Sequence, residues 1–134
     1  MPVLKSDVLP IRSSSDVVVV RQLVRTRAIE AAFSLVDQTR IVTAASELAR
    51  NTLDYGGGGQ ARIEIVSEGP RTGLRMTFED TGPGIPDVEL ALQDGYTTGR
   101  GLGLGLGGAR RLMNEFRIES KPGEGTRVVA VRWH

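Results

Sequence analysis

The sequence of 134 residues contains no cysteine and only one histidine, His134, at its last position. Without cysteine there are no disulfides and no thiolate metal sites, a composition compatible with the cytosol. One histidine excludes a metal site built on several histidines. No apolar run approaches the roughly 20 residues of a membrane span, and the first residues lack the apolar core of a signal peptide. We therefore predict a cytoplasmic protein with no membrane partner.

Lysine is also scarce, since Lys5 and Lys121 are the only two. Neither stands in a Gly-Lys-Ser/Thr context, which excludes a phosphate-binding loop of the Walker type. The sequence also lacks the strand lysine and the His-Arg-Asp loop of the common protein kinases. A net charge of +1 gives no reason to expect a nucleic-acid partner.

The remaining composition is that of an ordinary globular protein, with 40% hydrophobic and 25% charged residues. A chain of this length forms one domain most simply, and we predict a single domain over residues 1–134. The sequence shows no internal repeat. Its four consecutive glycines, Gly56 to Gly59, are too few to separate two domains.

The first third of the sequence predicts a strand followed by a helix. Val8 to Ile11 would form a short strand that Pro10 restricts to an edge of the sheet. Ser13 to Asp16 supplies side chains that cap a helix, and apolar residues then recur at helical spacing from Val17 to Phe33. The four valines that open this segment would equally suit a buried strand.

A second helix is predicted from Gln38 to about Tyr55, with Asp37 as its cap and the glycine run after its end. Its polar face carries Glu47 and Asn51, which are four residues apart and therefore stacked one turn above the other. The polar face of an arbitrary helix usually meets solvent. Here the neighbouring glycine loops favour a face covered by a ligand instead.

The sequence after residue 60 predicts two hairpins and two helices. In order, these are a hairpin of Ala61–Val66 and Leu74–Phe78 around Gly69-Pro70, a short helix over Pro86–Gln93, a helix over Gly105–Phe116, and a hairpin of Arg117–Ser120 and Thr126–Trp133. The predicted fold is an α/β two-layer sandwich, with the helices packed on one face of a mixed β-sheet.

Two glycine-rich turns indicate a nucleotide site. The first, Asp80-Thr81-Gly82-Pro83-Gly84, ends an apolar strand with an acid, and the second is the cluster from Gly99 to Gly108. Glycines let a ligand approach the backbone N–H groups, which suits phosphate. Part of the second turn, Gly103 to Gly108, matches the dinucleotide pattern GxGxxG, but no strand precedes it as that site requires.

The order of these motifs resembles that of the GHKL (Bergerat-fold) ATPases. Residues 47–51 (ELARN) look like the first motif of that family, 80–84 (DTGPG) like the second, 101–105 (GLGLG) like the third, and Gly125-Thr126 like the last. Among these proteins, the sequence is most similar to the anti-sigma and stress-signalling serine kinases, above all the RsbT type. It departs from the pattern at Gly56 to Gly59, where relatives often carry lysine.

The resemblance implies a role for each motif residue. Asp80 would accept a hydrogen bond from the adenine amino group, and Thr126 would assist through its hydroxyl or a water. Gly82 and Gly84 would let the chain pass close to the base.

The other motif residues would serve the phosphates and the transfer step. Asn51 would ligate Mg²⁺, and Glu47 would take the proton from the attacking hydroxyl. The predicted phosphate-binding residues are Gly101, Gly103 and Gly105, with Arg50 and Arg100 as possible clamps.

The function that the resemblance implies is a serine/threonine kinase of a partner-switching pathway. It would use ATP to phosphorylate a STAS-domain regulator and, when released, would activate a PP2C-type phosphatase. Three alternatives stay open: an anti-sigma factor that binds a sigma subunit directly, a nucleotide-gated binding module with negligible catalysis, and a detached histidine-kinase catalytic domain. The last is disfavoured because the sequence has no phosphoacceptor helix.

Overall fold

The computed structural model describes residues 2–85, 87–92 and 105–134. These residues form five strands and four helices. In chain order they are β1 (Val3–Ile11), α1 (Ser14–Glu30), α2 (Leu35–Asp54), β2 (Gly59–Glu68), β3 (Arg71–Asp80), α3 (Val88–Ala91), α4 (Gly105–Arg111), β4 (Glu115–Lys121) and β5 (Gly125–Trp133).

The strands form one sheet in the order β1-β2-β3-β5-β4, with the helices on one face. The predicted two-layer sandwich is therefore confirmed. The expectation of a mixed sheet was wrong, because every strand pair in the described ranges is antiparallel. The chain passes through α1 and α2 between β1 and β2, and β2 then pairs antiparallel with β1. Strands β3 and β4 do run in the same direction, but β5 lies between them, so they never pair.

The N-terminal strand lies at the edge of the sheet, as predicted, and begins earlier than expected, at Val3. The helix that follows is capped by Ser13, whose side chain accepts the N–H of Asp16. The carboxylate of Asp16 in turn accepts the N–H of Arg12 at 2.8 Å. The first bond satisfies a backbone donor that the helix start leaves unpaired, and the second ties the residue before the cap to the first turn. The valine run therefore lies in α1 rather than in a strand.

The cap of α2 is Ser34 rather than Asp37, because the Ser34 hydroxyl accepts the Asp37 N–H at 3.2 Å. The carboxylate of Asp37 instead accepts hydrogen bonds from Arg40 and from Arg132 of β5, both at 3.0 Å. Asp37 thus joins the helix layer to the sheet. The prediction of Asp37 as the cap was wrong, because aspartate is favoured at helix caps but here bonds arginine side chains instead.

The hairpin of β2 and β3 is confirmed, and both strands extend beyond the predicted limits. Gly69 has a φ of 58°, which together with the fixed negative φ of Pro70 matches a type II′ turn. The short helix α3 lies within its predicted segment and is capped by Asp87. Pro86 and Gln93, the predicted ends of that segment, lie outside the described residues.

The helix predicted to reach Phe116 ends at Arg111. Its last turn tightens, because Leu112 and Met113 donate to carbonyls three residues earlier. Asn114 then donates to the Val131 carbonyl at 2.9 Å, and the sheet begins. Phe116 therefore faces the core from β4, and its helical spacing after Met113 was coincidental. The final hairpin of β4 and β5 is confirmed.

The core lies between the helices and the sheet. Its largest fully buried side chains include Phe78, Ile41, Leu48, Ile63 and Leu74. No helix in the described ranges combines the length and the apolar character needed to span a membrane.

Candidate functional site

A cavity of about 390 Å³ opens where α2, the end of β3 and the start of β5 meet. Six residues predicted for the nucleotide site line it: Glu47, Asn51, Asp80, Gly84, Gly105 and Thr126. These residues come from four separate motifs of the sequence, so the fold brings the motifs together around one space. The volume lies within the range of small-molecule sites.

Glu47 is buried, with 7% of its surface exposed, although the sequence placed it on the polar face of its helix. Burial raises the pKa of its carboxyl above the ordinary value. A hydrogen bond from the Gly105 backbone and the charge of Arg50 act on that pKa in the opposite direction. A carboxylate with a raised pKa at a cavity wall is a suitable proton acceptor.

Asn51 lies one helical turn after Glu47 and also faces the cavity. Within the described ranges its side-chain amide makes no hydrogen bond, so its oxygen is available to a ligand. The described residues contain no cluster of three or more histidine, cysteine, aspartate or glutamate side chains. A metal ion here would therefore rely on few protein ligands, as Mg²⁺ does when nucleotide phosphates complete its shell.

Asp80 and Thr126 are neighbours in the sheet, because β3 and β5 pair these two residues directly. One oxygen of the Asp80 carboxylate accepts the Gly82 N–H at 2.9 Å. Register and turn thus place one carboxylate and one hydroxyl side by side at the cavity wall. Both groups can accept hydrogen bonds from a polar ligand.

Thr126 has a second polar neighbour, Ser120 of β4, whose hydroxyl oxygen lies 2.9 Å from that of Thr126. The same Ser120 oxygen accepts the Ile85 N–H at 2.7 Å and lies 3.2 Å from the Gly125 carbonyl oxygen. Ser120 therefore joins β4, β5 and the segment that leads from β3 towards α3. It does not itself line the cavity.

Gly56 lies directly against the Asp80 carboxyl group. A Cβ atom added at Gly56 would overlap the Asp80 side chain, so only glycine leaves room for it. Gly82 is packed in the same way against the backbone of Gly56. The tetraglycine therefore shapes the site, a role that sequence reasoning did not assign to it. Its position directly after the helix of Glu47 and Asn51 was the available signal.

Not every predicted site residue lines the cavity. Arg50 is directed to the start of α1, where its guanidinium lies 3.4 Å from the Ser14 hydroxyl. Gly82 contributes through its N–H bond to Asp80 rather than as a lining residue. The predicted phosphate-binding residues Arg100, Gly101 and Gly103 lie outside the described residues.

Apolar side chains that belong to none of the predicted site residues complete the cavity. They include Leu48, Tyr55, Phe78, Ile85, Leu106 and Val128. Most continue the buried faces of helices and strands, so their hydrophobic spacing identifies them only as core. An apolar space beside an acid and a hydroxyl fits a heteroaromatic base.

Comparison with known proteins identifies the family. Residues 36–133 match the family model described as histidine kinase-, DNA gyrase B- and HSP90-like ATPases. The chain belongs to this GHKL family. The match confirms the resemblance found in the sequence, and this GHKL chain uses ATP.

Two groups of curated relatives narrow the class of this GHKL protein. The chain is 51% identical over 118 residues to the serine/threonine-protein kinase RsbT of Bacillus subtilis, covering 88% of this chain and 89% of the relative. It is 32% identical over 96 residues to the anti-sigma F factor of Clostridium novyi, covering 68% of this chain and 67% of that protein. Like RsbT, the chain is an ATP-dependent protein serine/threonine kinase.

Solved structures confirm the fold. The RsbU and RsbW domains of a Mycobacterium tuberculosis protein superpose with a TM-score of 0.65 at 21% identity, covering 98% of this GHKL chain and 32% of that longer chain. The SiaB–SiaC complex from Pseudomonas aeruginosa matches with a TM-score of 0.54 at 15% identity, covering 98% and 91% of the two chains.

Proposed function

We propose that this kinase transfers the γ-phosphoryl group of ATP to a hydroxyl of a STAS-domain regulator. When that regulator releases it, the kinase would bind and activate a PP2C-type phosphatase. The observation that carries the proposal is the convergence of Glu47, Asn51, Asp80 and Thr126 on one cavity. Their chemistry matches base recognition, metal ligation and proton transfer, and the 51% identity to a protein kinase supports the same reading.

The adenine would occupy the apolar part of the cavity, with its amino group towards Asp80 and Thr126. Asp80 is suited to this because a carboxylate only accepts hydrogen bonds and the amino group only donates them. The phosphates would extend towards Gly105, which lines the cavity. Gly101 and Gly103, outside the described residues, stay the other proposed phosphate-binding glycines. Arg100, also outside the described residues, stays the proposed phosphate clamp. The contact between Arg50 and Ser14 favours a role for Arg50 in setting the charge near Glu47.

Mg²⁺ would be held by the Asn51 side chain together with phosphate oxygens and water. One neutral oxygen is a small protein contribution, and it matches the usual way in which Mg²⁺ enters nucleotide sites. The ion would neutralise charge on the phosphates during transfer.

Glu47 would accept the proton of the attacking hydroxyl. A positioned base contributes roughly 10²–10⁴-fold to a reaction of this type. The carboxylate lies on α2 and is buried at the cavity wall, so the fold itself places it beside the proposed nucleotide.

Labelling by radioactive ATP tests the proposal. With a STAS-domain protein as substrate, label should appear on serine or threonine and should survive acid, which phosphohistidine does not. Glu47→Gln should reduce labelling by roughly 10²–10⁴-fold while the variant still binds ATP. Labelling at the parent rate by Glu47→Gln would remove Glu47 from the mechanism.

A second candidate function is that of an anti-sigma factor, which the similarity to anti-sigma F factors favours. Such a protein would co-purify with a sigma subunit and inhibit transcription by it. Co-purification from the native cell extract separates the two functions. Recovery of a sigma subunit without a phosphatase would contradict the partner-switching kinase, whereas recovery of the phosphatase would support it.

A further inference from the structure

The hydroxyl of Thr126 does not rotate freely, because it shares a hydrogen bond with Ser120, which lies outside the cavity lining. Ser120 Oγ makes three contacts: the Ile85 N–H at 2.7 Å, the Thr126 Oγ1 at 2.9 Å and the Gly125 carbonyl oxygen at 3.2 Å. Each contact joins Ser120 to a different kind of partner. The three together determine which oxygen donates.

A serine hydroxyl has one hydrogen to donate and two lone pairs that accept. The Ile85 N–H can only donate, so it occupies one lone pair of Ser120. The Gly125 carbonyl can only accept, so it takes the single hydrogen. The second lone pair of Ser120 must then accept the Thr126 hydroxyl hydrogen. All three contacts are satisfied together in this arrangement and in no other.

Thr126 therefore donates its only hydroxyl hydrogen to Ser120 and presents lone pairs to the cavity that it lines. Its neighbour Asp80 also offers only acceptor oxygens, one of which already receives the Gly82 N–H. The polar end of the cavity is thus rich in acceptors. A ligand with an amino group there finds partners, whereas a ligand with an oxo group meets oxygen lone pairs.

We propose that Ser120 is a positioning residue that fixes the Thr126 hydroxyl as a hydrogen-bond acceptor, and that it thereby sets the preference for a 6-aminopurine over a 6-oxopurine nucleotide. The inference rests on the proposed function, in which the base lies beside Asp80 and Thr126. Ser120 acts through Thr126, since it does not line the cavity itself.

Ser120 also has a structural role, and the test must separate the two. Its oxygen anchors the backbone at Ile85, which lines the cavity. Loss of that anchor would weaken the binding of every nucleotide by a similar factor. Loss of the bond to Thr126 frees the Thr126 hydroxyl to rotate and donate, which favours a 6-oxo group selectively. The ratio of two dissociation constants therefore isolates the positioning role.

The experiment measures the dissociation constants of ATP and inosine triphosphate by calorimetry with Mg²⁺ present. The two nucleotides differ at position 6, where ATP has an amino group and inosine triphosphate an oxo group, and consequently at N1, which carries a hydrogen only in inosine triphosphate. Ser120→Ala should reduce the preference for ATP by about tenfold, the value of one hydrogen bond. Ser120→Thr keeps a hydroxyl and should keep the parent preference. In a Thr126→Val background, Ser120→Ala should leave the ratio unchanged.

Equal weakening of both nucleotides by Ser120→Ala would overturn the inference, as would a change of ratio that persists in Thr126→Val. If Ser120→Ala does not fold, Ser120→Cys replaces it, because a thiol has a similar size and only weak hydrogen bonding. A parent protein that binds ATP without preferring it to inosine triphosphate would contradict the proposed base site itself. A parent preference that survives in Ser120→Ala would contradict the role of Ser120 alone.

Discussion

Glu47 combines an acidic side chain with a buried position, and this raises its pKa. The ionised form is therefore less favourable in the folded protein than in the unfolded chain. The stability that the protonated form of Glu47 contributes to the fold is fully present below the ordinary glutamate pKa of about 4.3. It is lost as the pH rises through the raised pKa of the folded state. Ionised Glu47 thus costs stability at neutral pH, which is typical of a residue kept for chemistry.

Glu47→Gln removes this cost. We expect the variant to melt at a higher temperature than the parent at pH 8, and the difference to disappear below about pH 4.3. Thermal unfolding at a series of pH values measures it. Glu124→Gln, in the exposed turn between β4 and β5, should change the melting temperature little at any pH. A Glu47→Gln variant less stable than the parent at pH 8 would contradict the direction of the pKa shift.

Gly56 is required by the Asp80 carboxyl group that packs on it. Gly56→Ala should displace this carboxyl and weaken ATP binding by about tenfold or more, since a hydrogen bond to a charged group contributes about 1.5–3 kcal/mol. Calorimetric titration with ATP measures the effect. Gly57→Asn is the matched control, because Gly57 has a φ of 74°, which asparagine tolerates, and open space around its Cβ direction. Equal losses in the two variants would point to general disturbance of the loop.

At the scale of the elements, Asp37 joins α2 to β5 through Arg132 and also bonds the exposed Arg40. The side chain of Arg132 is 18% exposed and that of Arg40 48% exposed. A partner lost from a partly buried charge costs more than one lost from a surface pair. The two arginines therefore provide an internal comparison around one carboxylate.

Asp37→Ala should lower the free energy of unfolding by about 1–3 kcal/mol, because it leaves the Arg132 guanidinium without its carboxylate. Arg40→Ala should lower it by less than about 0.5 kcal/mol. Urea denaturation with a common slope measures both values. Similar losses in the two variants would show that the ion pair between α2 and β5 stabilises the fold no more than the surface pair does.

The spacing of apolar residues predicted most helices and strands, because each element must turn an apolar face to the core. The alternation in Ala61–Val66 and Leu74–Phe78 identified a hairpin that the structure confirms. The prediction was wrong where the same local spacing fits both a helix and a strand. Phe116 fits both a helical stripe and a strand, and only the bond from Asn114 to Val131 decides between them. Such a contact joins distant parts of the chain and leaves no trace in local spacing.

At the scale of the whole molecule, the order of strands and helices brings the nucleotide motifs together. Glu47 and Asn51 come from a helix, Asp80 from the end of a strand and Thr126 from the next strand in the sheet. The resemblance to a known family predicted that these residues share a site, and the cavity brings them together. The acceptor role of Thr126 was beyond prediction, because it depends on the register that sets Ser120 beside it.

Ligand binding should stabilise the whole fold. Mg·ATP at 100 times its dissociation constant contributes about 2.7 kcal/mol, which corresponds to a rise in melting temperature on the order of ten degrees for a domain of this size. Asp80→Asn should abolish most of that rise. Glu79→Gln is the matched control, since Glu79 precedes Asp80 and faces Arg127 at 3.7 Å rather than the cavity. No shift of the parent protein with saturating Mg·ATP would refute the nucleotide site.

The hydrogen bond between the Gly105 backbone and Glu47 has a consequence for the order of events. Gly105 offers one N–H, and the carboxylate of Glu47 already receives it. A phosphate group that arrives at Gly105 must compete with Glu47 for the same hydrogen. Its arrival would release the carboxylate and remove one of the influences that lower its pKa. Under the proposed function, nucleotide binding would therefore leave Glu47 without this hydrogen bond, so that the carboxylate could turn towards the attacking hydroxyl.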